Sequence, residues 1–191
     1  MPRRMKLRRP TIAALACALV ALPALTGCEN TRENKAGREG LPEKVGNIDY
    51  NVFITRELNL RDPEDQGYYK GPEAPPGFAL YGVFLQACNP SDKGPHWTAA
   101  SNFQIEDTQG NKFKPLRLPA DNIWAYKSRP LKEHACIPEA GSLPQSGPTN
   151  GALLIFRLPL QTLENRPLDL RITAPPNAAG VRQSSLIELD I

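Results

Sequence analysis

The side chains best suited to chemistry in this chain are four thiols and two imidazoles. They belong to Cys17, Cys28, Cys88, Cys136, His96 and His134. A thiolate acts as a nucleophile, a disulfide partner or a soft metal ligand, and a neutral imidazole is a common nitrogen ligand of zinc. One interpretation is a tetrahedral zinc site made by the last two cysteines and both histidines, although their spacing matches no zinc motif and the thiols would have to stay reduced. The compartment that the chain reaches decides between these roles.

The start of the chain has the pattern of an export signal. Residues 1–10 carry five basic side chains and no acidic one, and residues 11–25 are almost wholly apolar. The apolar run is shorter than the roughly 20 residues that a spanning helix needs. A basic head and a short apolar core are typical of a signal peptide. The two arginine pairs of the head also raise a twin-arginine export route, although the residues after each pair match that motif poorly.

The apolar run ends in the order Leu25-Thr26-Gly27-Cys28. This arrangement resembles the lipobox of bacterial lipoproteins. The resemblance implies that the Cys28 thiol is diacylglycerylated, that the peptide bond before it is cleaved, and that the mature chain is anchored in a lipid bilayer. Small side chains at Thr26 and Gly27 suit a protease site at the membrane surface. The alternative is that a general signal peptidase cuts nearby and leaves Cys28 as an ordinary cysteine.

Cleavage before Cys28 would change the charge of the chain. The signal, residues 1–27, holds five of the 23 basic residues and none of the 20 acidic ones, so 18 basic residues remain against 20 acidic ones. The formal charge then moves from +3 to −2. Binding of nucleic acid requires a basic surface that displaces counterions. We therefore expect no nucleic-acid partner.

Cleavage and lipidation would also leave Cys88 and Cys136 as an even pair. Thiols outside the cytoplasm meet an oxidising environment and form disulfides. We therefore predict a Cys88–Cys136 disulfide, no metal and no cofactor. Both methionines lie in the signal, which argues against a copper carrier with thioether ligands.

Residues 28–46 are predicted to form a flexible tether behind the lipid anchor. They are rich in Glu, Lys, Arg, Asn and Gly and poor in apolar side chains, so burial cannot offset the entropy lost on ordering. From residue 47 onwards, short apolar alternations are separated by Pro and Gly. We assign residues 47–191 to one domain.

This domain is predicted to consist of about seven short strands. Their ranges are 48–54, 78–88, 101–107, 112–114, 152–158, 168–172 and 186–191. Residues 78–88 are apolar on both faces, which predicts the central strand of a sheet. Loops are predicted at residues 59–77 and 137–150, and a short helical turn at 122–126. The absence of a sustained helical period favours an all-β fold, specifically an antiparallel β-sandwich.

The order of several features carries a second resemblance. They are residues 79–85 followed by Asn89, then residues 103–107 with Gly110 and Phe113, then residues 151–156. This order resembles the immunoglobulin-like, telokin-like domain of exported bacterial lipoproteins of unknown function. The resemblance implies an immunoglobulin-like β-sandwich and a cell-surface setting. It supplies no catalytic residues.

Acidic residues give no clear catalytic or metal motif. No G-x-S-x-G or H-E-x-x-H sequence is present, and we predict that the protein is not an enzyme. Glu106 and Asp107 are strand neighbours whose side chains point to opposite faces, so they cannot flank one bond; we interpret them as a solvated strand end. Asp62, Glu64 and Asp65 lack the spacing of a calcium loop and are interpreted as a surface loop.

Five aromatic residues outside the predicted strands are candidate binding residues. They are Tyr68, Tyr69, Trp97, Trp124 and Tyr126. Exposed aromatic side chains on loops suit a binding face. Covering one end of the sandwich is the alternative, which we favour for Trp124.

These patterns together predict a lipoprotein held on the cell membrane or in the cell envelope, with its domain outside the cytoplasm. Its predicted role is non-catalytic binding or structural presentation. The predicted partners are the lipid bilayer, reached through Cys28, and another envelope protein or a glycan. The alternatives are an exported enzyme with an unrecognised site and, less favoured, a metal-binding protein.

Overall fold

The structure, a computed structural model, describes residues 36–92, 94 and 96–191. The predicted signal peptide, the lipobox residues Leu25, Thr26 and Gly27, and the lipidation residue Cys28 lie outside the described residues. Residues 28–35 of the predicted tether lie outside them as well. Within the described ranges, no helix has the length and apolar character needed to cross a membrane.

The described part of the chain is mostly β-strand, which confirms the predicted all-β fold. The strands are β1 (Ala36–Arg38), β2 (Glu43–Val45), β3 (Ile48–Glu57), β4 (Phe78–Cys88), β5 (Trp97–Thr98), β6 (Asn102–Glu106), β7 (Lys112–Phe113), β8 (Pro130–Leu131), β9 (Cys136–Ile137), β10 (Ala152–Pro159), β11 (Leu168–Thr173) and β12 (Ser184–Leu189). Two short helices, α1 (Pro63–Tyr68) and α2 (Leu143–Ser146), and a 3₁₀ turn at Leu160–Glu164 connect them. Each predicted strand coincides with one of these strands.

Ten of these strands form two larger sheets. The first sheet has the order β1-β12-β11-β6-β7, and the second has the order β10-β4-β3-β2, with β9 paired to β4. The strands β5 and β8 form a separate pair. Neighbouring strands are antiparallel, except that β1 runs parallel to β12. Buried side chains of both large sheets belong to one shared core.

The central strand of the second sheet is β4, as its continuous apolar run predicted. It pairs with β10 on one side and with β3 on the other. Successive side chains of a strand point to opposite faces. Tyr81, Val83 and Leu85 therefore join the shared core, whereas Leu80 and Phe84 join a second apolar cluster on the outer face. A strand buried on both faces requires apolar residues at every position, which explains why its sequence does not alternate.

Residues 36–46 belong to the folded domain rather than to a flexible tether. In this segment β1 pairs with β12, β2 pairs with β3, and Val45 is buried. The Glu39 carboxylate accepts hydrogen bonds from the backbone N–H of Thr55 at 2.6 Å and of Asp190 at 3.1 Å. The segment is ordered mainly by hydrogen bonds and strand pairing, and its polar composition therefore misled the prediction.

Short helices also depart from the sequence-based expectations. The predicted loop at residues 59–77 contains α1, and the predicted loop at 137–150 contains α2. Residues 122–126 are not helical. Ala125 instead forms a parallel bridge with Leu153 of β10, and the Asn122 side chain accepts hydrogen bonds from the N–H groups of Trp124, at 2.8 Å, and of the residue after it. Helices of four to six residues are too short to show a hydrophobic period.

The predicted disulfide between Cys88 and Cys136 is present. The two residues are direct cross-strand partners on β4 and β9. The bond therefore fastens the segment before α2 to the central strand. It also takes both sulfur atoms out of the alternative zinc set, so that set of four ligands does not form in this structure.

Replacing both cysteines by serine should lower the free energy of unfolding by on the order of 4 kcal/mol. The bond joins residues with a sequence separation of 48, and a cross-link over a loop of that length restricts the unfolded chain by about this amount. Equilibrium unfolding of the full chain in guanidinium chloride measures the change. Reduced wild-type protein should unfold at the same guanidinium chloride concentration as the double variant. A midpoint in the double variant equal to that of oxidised wild-type protein would contradict the prediction.

Candidate binding groove

The outer face of the second sheet carries a separate apolar cluster. Its buried members are Leu58, Tyr68, Leu80, Phe84, Trp124, Leu153 and Ile155. The ring of Tyr68 stands edge-on to the rings of Phe84, at 5.2 Å between centroids, and of Trp124, at 4.7 Å. Tyr68 comes from α1 and Trp124 from the segment 116–126. These two pieces of chain therefore meet over the sheet and cover it.

Polar contacts hold α1 in this position. The Asp62 side chain accepts from the N–H of Glu64 at 2.8 Å and caps the helix, and Pro63 occupies its first turn. Asp65 is 3% exposed and accepts from Arg56 at 2.6 Å and from the N–H of Asn59 at 2.7 Å. Because a six-residue helix is not stable in isolation, these contacts and the burial of its tyrosine keep it folded.

Arg56 links the helix to the sheet. Its guanidinium lies 5.7 Å from the ring centroids of both Tyr68 and Phe84, and it pairs with Glu64 at 3.3 Å as well as with Asp65. Burial alone would lower the pKa of Arg56, but the hydrogen bond and charge of Asp65 outweigh it and raise that pKa. Burial also raises the pKa of the Tyr68 phenol, whose hydroxyl donates to Glu64 at 2.9 Å. Arg56 therefore stays charged and Tyr68 stays neutral.

The segment 116–126, which faces α1, is held in place by the side-chain amide of Asn122 and by hydrogen bonds to β10. Asn122 donates from Nδ2 to the backbone carbonyl of Tyr68 at 2.8 Å and so ties the segment to the end of α1. Leu153 of β10 donates its N–H to the carbonyl of Trp124 at 2.7 Å and accepts from the N–H of Tyr126 at 2.9 Å. Both walls are thus fixed by hydrogen bonds within the chain.

Between these walls lies an open groove with a volume of about 620 Å³. We call it the aromatic groove. One wall is residues 67–71, and the other is formed by Arg117, Pro119 and residues 121–124. A Cβ at Gly71 would overlap the Tyr69 ring, so the glycine allows that ring to lie against the chain. The size falls within the range of cavities that hold small ligands.

The structure brings together three of the five candidate aromatic residues. Tyr68, Tyr69 and Trp124 line the aromatic groove. However, Tyr68 is 2% exposed and Trp124 is 8% exposed, so neither presents the open ring that a binding residue on a loop would present. They form the floor of the groove, and the half-buried Tyr69 supplies its accessible ring.

The other two candidate aromatic residues lie elsewhere and pack against the shared core. Tyr126 stands edge-on to Phe103 with centroids 4.9 Å apart, and its hydroxyl donates to the carbonyl of Ala100 at 2.9 Å. Burial raises the pKa of Tyr126 well above its ordinary value. Trp97 is half-buried on β5. Neither residue lines the aromatic groove.

Sequence reasoning missed the polar residues of the groove. Lys70, Arg117, Asp121 and Asn122 belong to segments without a repeating pattern, and their common location depends on how those segments fold over the sheet. The run Tyr68-Tyr69-Lys70-Gly71, with two aromatic residues beside a cation and a glycine, was the only local signal.

Glu106 and Asp107 do not form a solvated strand end. Both are buried, at 6% and 0% exposure. Glu106 receives two hydrogen bonds from Arg171, at 2.7 and 2.8 Å, and pairs with Lys112 at 3.2 Å. The Arg171 hydrogen bond, opposed by burial, holds the pKa of Glu106 below its ordinary value. The pair is therefore a buried part of the first sheet.

Asp107 organises the turn between β6 and β7. It accepts from the N–H of Gln109 at 3.0 Å, from the N–H and side chain of Asn111 at 2.8 and 2.7 Å, and from the side chain of Asn165 at 3.2 Å. Burial alone would raise the pKa of Asp107, but these hydrogen bonds lower it below its ordinary value.

The acidic cluster considered for calcium is engaged within the chain. Asp62 caps α1, Asp65 binds Arg56, and Glu64 accepts from Tyr68. Over residues 36–92, 94 and 96–191, no group of three or more His, Cys, Asp or Glu side chains is placed to hold a metal ion. Among the described residues, the aromatic groove is the candidate site because it brings three of the candidate aromatic residues together with charged side chains.

Acidification should destabilise the protein in part through Glu106. A carboxyl whose pKa is lower in the folded state contributes stability that is complete above its unfolded pKa, about 4.3 for Glu, and lost as the pH falls through the folded pKa. Glu106→Gln should therefore lower the free energy of unfolding by roughly 2 kcal/mol at pH 7 and flatten its decline below about pH 4.3.

Urea unfolding of the full chain between pH 2 and pH 7 measures both effects. Glu164→Gln is the control, because Glu164 is exposed and forms no ion pair with another described residue. It should leave the curve unchanged. If the free energy of unfolding of Glu106→Gln fell with pH in parallel with that of wild type below about pH 4.3, the assigned shift in the pKa of Glu106 would be contradicted.

Comparison with known proteins gives no homologue to guide the assignment. A scan against protein-family models gave no match, and searches of curated proteins and of solved structures gave none either. The site is therefore defined by its own geometry: an ordered groove with a half-buried tyrosine ring, two cations, one carboxylate and a floor of buried aromatic rings.

Proposed function

We propose that this protein is an exported bacterial lipoprotein, anchored to the membrane at Cys28, whose domain binds a ligand in the aromatic groove without catalysing a reaction. The order Leu25-Thr26-Gly27-Cys28 behind a basic head and an apolar run supports the anchor. The Cys88–Cys136 disulfide supports a location outside the cytoplasm, because such bonds persist in oxidising compartments.

The proposed fold within the all-β class is an immunoglobulin-like β-sandwich. Two five-stranded sheets that share one core support this proposal, as does the hairpin formed by the last two strands. The strand pairing supports it as well, because in immunoglobulin domains the second strand lies beside the fifth. The seven predicted strands correspond to β3, β4, β6, β7, β10, β11 and β12; the second of them is β4 and the fifth is β10, and these two strands pair. The long segment between β3 and β4, which contains α1, forms one wall of the groove.

The observation that carries the binding role is the ordered state of the groove. Its walls are fixed by contacts within the chain, made by Asp65, Arg56 and Asn122. Binding to a preformed site loses little conformational entropy. The remaining groove residues, a half-buried tyrosine and three charged side chains, are then available to a ligand.

Replacing Cys28 by alanine should abolish lipid attachment. Cells that express the full chain are labelled with a clickable palmitate analogue, and the protein is followed by gel fluorescence and by membrane fractionation. Wild-type protein should carry the label and sediment with membranes, while the variant should carry none and keep its signal peptide. Labelling of Cys28→Ala to the wild-type level would contradict the anchor, and Cys17→Ala serves as the matched control.

Replacing Tyr69 by alanine should weaken ligand capture by roughly tenfold or more, as expected for a central aromatic contact. Detergent-solubilised full-length protein is tested against a panel of purified envelope glycans and envelope proteins by biolayer interferometry. Phe53→Ala is the control, because Phe53 is an aromatic residue on β3, 37% exposed and outside the groove. Absence of any ligand, or equal binding by Tyr69→Ala and wild type, would contradict a binding role for the groove.

A further inference from the structure

Two cations line the aromatic groove. Lys70 lies on one wall and Arg117 on the other, and neither forms a hydrogen bond or an ion pair with another residue that the structure describes. In contrast, Arg56, Arg129 and Arg171 each pair with a carboxylate. A cation that is left without a partner beside a cavity is available to an anionic group of a ligand.

Tyr69 supplies an accessible aromatic ring in the same groove. Tyr69 is half-buried, and its ring rests against the chain at Gly71. A ring held in this way keeps little freedom to lose on binding. It provides a flat apolar surface on which the C–H face of a sugar ring can lie.

The floor of the groove disfavours an apolar protein anchor. Protein partners usually insert a large side chain into a deep pocket. Here the rings of Tyr68 and Trp124, 4.7 Å apart, together with Phe84 fill the space between the groove and the sheet. The groove is also lined by Lys70, Arg117, Asp121 and Asn122, and these polar side chains suit a ligand with charged and hydroxyl groups.

Asp121 further restricts the kind of ligand that the groove can bind. Its carboxylate lines the same groove and forms no ion pair with another described residue. A carboxylate accepts hydrogen bonds from hydroxyl groups but repels a ligand that carries only negative charge. The groove therefore matches a ligand that combines isolated anionic groups with hydroxyl donors and a ring.

We propose that the aromatic groove binds a short stretch of acidic polysaccharide, with a sugar ring on Tyr69, its carboxylates at Lys70 and Arg117, and its hydroxyl groups at Asp121. This inference rests on the proposed binding function and narrows it to one class of ligand. The volume of about 620 Å³ sets the length at a few sugar units.

Calorimetric titration of full-length protein in detergent tests this inference with defined probes. The probes are uronic-acid trisaccharides prepared from polygalacturonate, alginate and hyaluronan, each with its methyl-esterified, uncharged counterpart. At least one acidic trisaccharide should bind about tenfold or more tightly than its ester. The difference should shrink as salt is raised from 0.05 to 0.5 M, because screening weakens exposed charge pairs.

Variants then assign the interaction to the groove. Lys70→Gln and Arg117→Gln should each weaken binding of the acid about tenfold and leave binding of the ester unchanged. Lys44→Gln is the matched control, because Lys44 is an exposed cation on β2 and lies outside the groove. Thermal midpoints confirm that each variant remains folded.

A glycine variant separates the ring position from the charges. Gly71→Ala should displace the Tyr69 ring and weaken binding of both acid and ester, because the added methyl group overlaps that ring.

The outcomes separate this inference from the proposed function. Equal affinity for acid and ester, or a loss of affinity with Lys70→Gln no larger than with Lys44→Gln, overturns acidic recognition but leaves a binding groove. Capture of an envelope protein through Tyr69, with no trisaccharide bound, overturns the glycan and keeps the binding function. If neither the trisaccharides nor the envelope panel binds, both proposals fail.

Discussion

The structure depends on the burial of β4 on both of its faces. One face completes the core shared by the two sheets, and the other carries Leu80 and Phe84 outwards. An apolar face of this kind is costly to leave in water. α1 and the segment 116–126 pack on this face, and the aromatic groove lies between these two segments. The site therefore exists because the central strand has a second face to bury.

Specific polar contacts hold α1 and the segment 116–126 in their positions on the sheet, because neither segment is long enough to be stable in isolation. Asp65 accepts hydrogen bonds from both Arg56 and the backbone of Asn59, and Asn122 joins the far wall to the carbonyl that ends α1. Buried partners of this kind are costly to separate, since each would leave an unsatisfied group. These contacts hold the two walls in place, and the charged residues that line the groove remain available to a ligand.

The strands were predictable wherever burial leaves a periodic or continuous apolar pattern, as in β3, β4 and β11. The N-terminal strands were not, because β1 and β2 are ordered by strand pairing and by Glu39 rather than by apolar side chains. α1 and α2 were missed because they are shorter than a detectable period. In the candidate site, aromatic residue type identified Tyr69, and a covering role was favoured for Trp124, which is buried; nothing local indicated that Tyr68 would be buried as well.

The sequence by itself determined the all-β class, the central strand and the paired cysteines, because each follows from local periodicity or from composition. Only the tertiary structure decided which residues form the groove. Tyr68 and Asn122 are 54 residues apart in the chain. They meet because the Tyr68 ring packs on Phe84 and on Trp124, which lies two residues after Asn122. That meeting depends on the packing of one sheet face, a long-range property that no short stretch of sequence contains.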